Sequence, residues 1–192
     1  MSINSKYYNE NKDSFIENTI NCDMSLQYNY FLNHMNKSGT ILDLGFGSGR
    51  DMMYFNKLGY SVIGIDPTDS FVSIMKDKGF EVYLTTAQDM NFENKFDGIW
   101  ACASLLHVPS NELELAFKKC EKALKNNGVL YCSFKYGTYE GERNGRIFTD
   151  LNETLISNYL ENTQFVIVDT MITTDVRPDR EEKWFNCILK KS

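Results

Sequence analysis

Apolar runs alternate along the chain with stretches in which apolar side chains recur every three or four positions, and the two rhythms divide it between strands and helices. The runs predict strands at 40–45, 61–66, 81–85, 96–101, 129–135, 165–173 and 184–190. The helical rhythm predicts helices at 6–18, 24–36, 50–58, 69–78, 111–124 and 152–161. In 111–124, Leu113, Leu115, Ala116, Phe117, Cys120, Ala123 and Leu124 fall mostly on one face, as in a helix that covers a sheet. Strands separated by helices imply a parallel sheet buried on both sides. No helix separates the last two strands, so they should form a hairpin and reverse the final strand. The expected fold class is α/β, three-layered, with a mostly parallel seven-stranded sheet and one antiparallel strand.

The first strand runs into Thr40-Ile-Leu-Asp-Leu-Gly-Phe-Gly-Ser-Gly-Arg-Asp51, with Gly45, Gly47 and Gly49 at alternate positions. A strand, a tight glycine turn and a helix bring backbone N–H groups close to a ligand that side chains would otherwise block. The next strand, Tyr60-Ser-Val-Ile-Gly-Ile-Asp66, ends in a carboxylate able to accept hydrogen bonds from both hydroxyls of a ribose. The pair describes a site for a nucleoside cofactor. A dinucleotide fingerprint would place its third glycine where Arg50 stands. Asp43, two residues before the first glycine, would repel a pyrophosphate and attract the ammonium of a methionine-like group.

Composition narrows the setting. At 192 residues the chain is one domain by length. No apolar run is long enough to span a membrane and the N-terminus lacks a signal-peptide apolar region, so a cytoplasmic protein without a membrane partner is expected. The five cysteines, Cys22, Cys102, Cys120, Cys132 and Cys187, are scattered without metal-ligand spacing or a disulfide framework. No metal is expected. A net charge of −6 argues against a nucleic-acid partner, although a local basic pocket stays compatible with it.

The pattern D-x-G-x-G-x-G followed by an acid at the next strand end resembles motifs I and II of the class I S-adenosylmethionine (SAM) methyltransferases. The resemblance covers residues 38–135 and is nearest in character to the small-molecule enzymes of quinone biosynthesis and tellurite resistance. It implies a three-layer Rossmann-like methyltransferase fold, SAM as cofactor and S-adenosylhomocysteine (SAH) as product. Carried over residue by residue, it implies cofactor contacts at Asp43, Gly45, Phe46, Gly47, Arg50, Asp66 and Pro67. Thr85-Thr-Ala-Gln-Asp-Met-Asn-Phe92 falls where these enzymes hold adenine. Thr86 replaces the usual acid there, which passes the adenine contact to Ala87, Gln88 and Asp89. Phe96–His107 resembles the motif after strand 4, which puts Ala101 and Cys102 beside the methionine end. Leu124–Tyr131 resembles the turn before strand 5, with Asn127 in place of a glycine.

Residues 1–37 would form an N-terminal helical lid over a core at 38–192, because small methyltransferases often begin with such a helix. Tyr8 and Thr19 are its candidates to border the acceptor. Arg50 places a positive charge at a helix N-terminus, against the dipole, and pairing with the carboxylate of SAM would supply a reason. The loop 133–149 carries Lys135, Tyr136, Tyr139, Arg143 and Arg146, and 175–183 carries Arg177 and Arg180. Such arginines suit a carboxylate or phosphate on the acceptor. Alternatively, Glu140, Glu142, Glu181 and Glu182 neutralise them in surface ion pairs. His107 follows a strand end where an α/β active site opens, and reads equally as structural or catalytic. Trp100 reads as core and His34 as packing or surface.

Methyl transfer from a sulfonium is an in-line displacement that needs the reacting atoms at about 3–3.5 Å. A base is required only when the acceptor must lose its proton early. His107, Tyr136 and Tyr8 are the catalytic candidates. The expected activity is methylation of a small, anionic, cytosolic acceptor by a monomer or homodimer. The alternatives are methylation of an RNA or protein group, and a non-catalytic SAM-binding sensor or subunit.

Overall fold

A computed structural model describes residues 2–177 and 180–192, so Met1, Pro178 and Asp179 lie outside the described residues. The central sheet contains β1 (Thr40–Leu44), β2 (Ser61–Asp66), β3 (Glu81–Leu84), β4 (Phe96–Ala101), β5 (Leu124–Lys135), β8 (Phe165–Thr174) and β9 (Lys183–Lys191). Their spatial order is β3-β2-β1-β4-β5-β9-β8. The first five run parallel, whereas β9 is antiparallel to both β5 and β8. One reversed strand in a mostly parallel seven-stranded sheet is the architecture the sequence pattern implies.

Alternation along each strand feeds two separate cores. Leu42, Leu44, Ile99, Ala101, Leu130 and Cys132 belong to one layer, together with α6 (Ser110–Ala123) and α7 (Glu153–Leu160). Ile41, Trp100, Val129, Tyr131 and Ile188 belong to the other. That second layer is completed by α3 (Ser25–Leu32), α4 (Arg50–Lys57) and α5 (Asp69–Asp77). The buried side of α6 is Leu113, Ala116, Phe117, Cys120 and Ala123, a helical repeat of three and four.

Four local features differ from the pattern expected along the chain. The helix at 6–18 is two helices, α1 (Ile3–Glu10) and α2 (Lys12–Thr19). They break at Asn11, whose side-chain amide donates back to the Tyr7 carbonyl at 2.9 Å. The helix at 24–36 ends at Leu32. Its Phe31 is fully buried and lies 5.4 Å from Trp100 between ring centroids, so this helix packs into the second core. Strand β5 starts at Leu124, five residues early, and passes through Asn127 at φ 62°.

The fourth difference lies in the loop at 133–149, which contains a second hairpin, β6 (Glu140–Arg143) and β7 (Arg146–Thr149). Asn144 and Gly145 turn it with φ values of 50° and 76°, the two positive values a two-residue hairpin turn demands.

Candidate active site

The glycine turn follows β1 because Gly45, Gly47 and Gly49 all adopt positive φ, at 75°, 51° and 76°. Space as well as conformation fixes Gly47, where a Cβ would come within 2.9 Å of the Phe15 ring. Phe15, on α2, thus lies directly over the turn. At the end of β2, one oxygen of Asp66 accepts from the Gly47 N–H at 3.0 Å and the other from the Thr68 N–H at 2.8 Å. Burial raises this carboxyl to about 6, and those same hydrogen bonds oppose the rise. Asp43 is buried, and its Oδ2 has no hydrogen-bond partner among the described residues. Burial first, and then the nearby Asp51 charge, hold its carboxyl well above the ordinary range.

An orphaned, buried carboxylate oxygen, a turn open to close approach and an acid at the next strand end fit a nucleoside that carries a cation. Asp43 would face the ammonium side and Asp66 the ribose.

Arg50 is already engaged. Its Nε and Nη2 donate to the two oxygens of Asp51 at 2.6 and 2.9 Å, and its Nη1 donates to the Thr19 carbonyl at 3.2 Å. Asp51 also accepts from Trp100 Nε1 at 2.8 Å and from the Tyr28 hydroxyl, so it organises the second core beneath the site. Arg50 therefore ties the end of α2 to the first turn of α4. Both Arg50 and Thr19 line the cavity described next.

A cavity of about 290 Å³ opens beside the glycine turn. Gly45, Phe46 and Gly47 form one wall with Cys102, and Tyr8, Phe15 and Thr19 close it from above. Lys135, Arg143, Arg146, Arg177 and Arg180 all reach it. Asp43, Asp66, Pro67, Ala87, Gln88, Asp89 and Ala101 do not line it. Pro67 and Asp89 are exposed, whereas Ala87 and Ala101 are buried. Thr86 Oγ1 donates to Asp89 at 2.7 Å, and Gln88 Nε2 donates to Glu112 at 2.7 Å. Tyr136 also stands outside the wall, 44% exposed, with its backbone bridged to Leu151.

The two remaining catalytic candidates meet. The Nδ1 of His107 faces the Ile147 carbonyl oxygen at 2.8 Å, and a carbonyl can only accept, so Nδ1 carries the hydrogen. The Nε2 lone pair then accepts the Tyr8 hydroxyl hydrogen at 2.9 Å. Burial pushes His107 down to about 4, helped by the Arg146 and Lys135 charges, so the imidazole is neutral at physiological pH. Burial also raises Tyr8, against the pull of Arg146. Trp100 is fully buried core, and His34 packs edge-on against Tyr30.

The wall includes residues that the linear reading passed over: Phe15, Gln27, Asp51, Ser133, Phe148, Asp175, Trp184 and Asn186. A period of two would have found some of them, since Ser133 pairs with Asn186 and Lys135 with Trp184 across β5 and β9.

A mostly parallel sheet with one reversed strand, a left-handed glycine turn after β1 and an acid ending β2 are the features in which the chain resembles the class I SAM-dependent methyltransferases. Residues 42–132 match the family model for a methyltransferase domain. An uncharacterized methyltransferase of Staphylococcus carnosus is 26% identical over 181 residues, or 88% of this chain and 87% of that protein. Phosphoethanolamine N-methyltransferase of Plasmodium falciparum is 31% identical over 119 residues, 56% of this chain; the match spans only 45% of that protein's length. The fold is similar to that of Burkholderia thailandensis 1,6-didemethyltoxoflavin-N1-methyltransferase, solved with its namesake ligand and SAH. The TM-score is 0.81 at 17% identity, covering 99% of this chain and 88% of that one. Residues 42–132 thus carry a methyltransferase domain, and SAM is its cofactor.

Proposed function

We propose that this protein methylates a small, anionic, cytosolic acceptor. One observation carries the acceptor's charge. Among the described residues, the cavity wall bears six basic side chains against three acidic ones, on a chain whose net charge is −6. A local excess of that sign concentrates anions. Phosphoethanolamine, the acceptor named for the Plasmodium relative, is likewise small and carries a phosphate.

Bound SAM supplies an electrophilic methyl on a sulfonium, and its transfer leaves SAH. Asp43, Gly45, Phe46, Gly47, Asp66 and Cys102 would hold the cofactor, with Ala87, Gln88 and Asp89 beside the adenine. The chain's own contribution is enclosure and proton handling. Tyr8 and Phe15 stack edge-to-face at 5.1 Å across the opening and exclude water from the reacting atoms. Tyr8 and His107 provide a route for the acceptor's proton. The hydroxyl passes its hydrogen to the free Nε2 and takes the acceptor's in exchange.

SAH release, measured across a panel of small hydroxy and amino compounds with and without a carboxylate or phosphate, tests this reading. Turnover confined to the anionic members is expected. With the best acceptor, Tyr8→Phe keeps the ring contacts and should lower kcat by about 100-fold while leaving SAM affinity unchanged. Equal turnover of neutral and anionic acceptors would refute the anionic assignment, and unchanged kinetics in Tyr8→Phe would remove the hydroxyl from the proton route.

A further inference from the structure

The basic residues around the cavity are not equivalent. Arg143 forms a two-pronged pair with Asp150 at 2.8 and 2.6 Å. Arg177 does the same with Asp175 at 2.9 and 2.7 Å. Lys135 meets Glu182 at 2.8 Å and Arg180 approaches it at 3.9 Å. Arg146 has no carboxylate within ion-pair distance among the described residues. Its guanidinium lies 4.6, 5.1 and 5.8 Å from the ring centroids of Tyr7, Phe148 and Tyr8. Its Nε is buried without a hydrogen-bond partner, and its Nη1 reaches only the Tyr8 oxygen, at 3.4 Å.

An arginine flanked by aromatic faces, with a buried N–H left open, is arranged for a ligand oxyanion rather than for the fold. We propose that Arg146 is the receptor for the acceptor's carboxylate or phosphate, and that the anion seated there makes the neighbouring Tyr8–His107 pair ready to take a proton. The inference rests on the methyl-transfer reading for its purpose, but its geometry stands apart from the cofactor site.

The coupling is electrostatic. A proton arriving at His107 Nε2 creates a cation next to Arg146 and Lys135, and Lys135 is already compensated by Glu182. The other groups facing the pair are Asp66, which acts on Tyr8 from the β2 end, and Tyr7, its neighbour on α1. Uncompensated charge on Arg146 therefore opposes protonation of His107, and an anion on Arg146 removes that opposition. A neutral compound entering the cavity would find a silent base. Selectivity for anions would then appear in the rate as well as in binding.

The chain has two histidines, His34 and His107, so NMR of the ring protons in a His34→Gln background follows His107 alone. The probes are inorganic phosphate and benzoate, titrated separately, with chloride at equal ionic strength as the control. Either probe should raise the His107 titration midpoint by about one pH unit, and the two arms tell phosphate from carboxylate preference. Arg146→Gln should abolish the response to both, whereas Arg143→Gln should retain it because Arg143 is already paired with Asp150. A response that survives in Arg146→Gln, or none in the wild-type background, overturns the proposal. SAM binding measured on the same samples reports separately on the methyltransferase reading: an enzyme that binds no SAM yet shows the Arg146-dependent response fails that reading and keeps this one.

Discussion

Asp43 shows how one side chain's cost to the fold can mark a site. Its Oδ2 is buried without a partner, and its carboxyl is held above the ordinary range. Between the unfolded value of about 3.9 and the raised folded one, the native protein keeps a proton that the unfolded chain has released. The stabilisation from that proton is therefore fully present below about pH 3.9 and is lost as pH rises through the folded value. Asp43→Asn keeps the shape and removes the charge. It should raise Tm at pH 8 by about 2–4 °C, the response to roughly 1 kcal/mol, with the gain vanishing near pH 4. SAM affinity should fall in the same variant. Calorimetric scans at the two pH values check this, and a variant less stable than wild type at pH 8 contradicts it. The identity of the acids was legible in the sequence, but the partners of the arginines were not. Arg143 and Arg177 are neutralised by Asp150 and Asp175, not by the glutamates that lie nearby in sequence. Side-chain direction at a hairpin decides this, and residue type alone carries no such information.

Among the elements, α1 is held by few but specific bonds. Asn4 donates to the carbonyls of His107 and Ile147 at 3.3 Å each and accepts from the Ile147 N–H at 2.7 Å. At its other end, Asn9 accepts from the Ser70 N–H at 3.1 Å. The helix thus bridges β7 and the start of α5, and carries Tyr8 to His107. Asn4→Ala should cost about 1–3 kcal/mol by leaving buried groups without partners. Hydrogen exchange should quicken in α1, and the acceptor KM should rise more than the SAM Kd. Unaltered exchange in α1 would show that Asn4 does not hold it. Strands and core-covering helices were legible because burial imposes a period on them. The break at Asn11 and the β6–β7 hairpin were not, because short polar segments carry no such period. Asn144-Gly145 was the one local cue to the hairpin. Tyr8 and His107 were each legible as candidates, but their meeting, 99 positions apart, is a product of the whole fold.

At the scale of the molecule, the cavity forms where separate parts converge: the glycine turn after β1, helices α1 and α2, the segment after β4, the end of β5, the β6–β7 hairpin, and the ends of β8 and β9. The fold alone does not name a reaction, and function is read from the site built upon it. No helix among the described residues is long and apolar enough to cross a membrane. The claim on which the rest depends is that Asp66 and the glycine turn bind SAM. Calorimetric titration of wild type and Asp66→Ala with SAM, SAH and NAD tests it most directly. The account predicts micromolar binding of SAM and SAH to wild type, lost in Asp66→Ala, and no heat with NAD. Binding of NAD in place of SAM, or SAM affinity unchanged in Asp66→Ala, would contradict it.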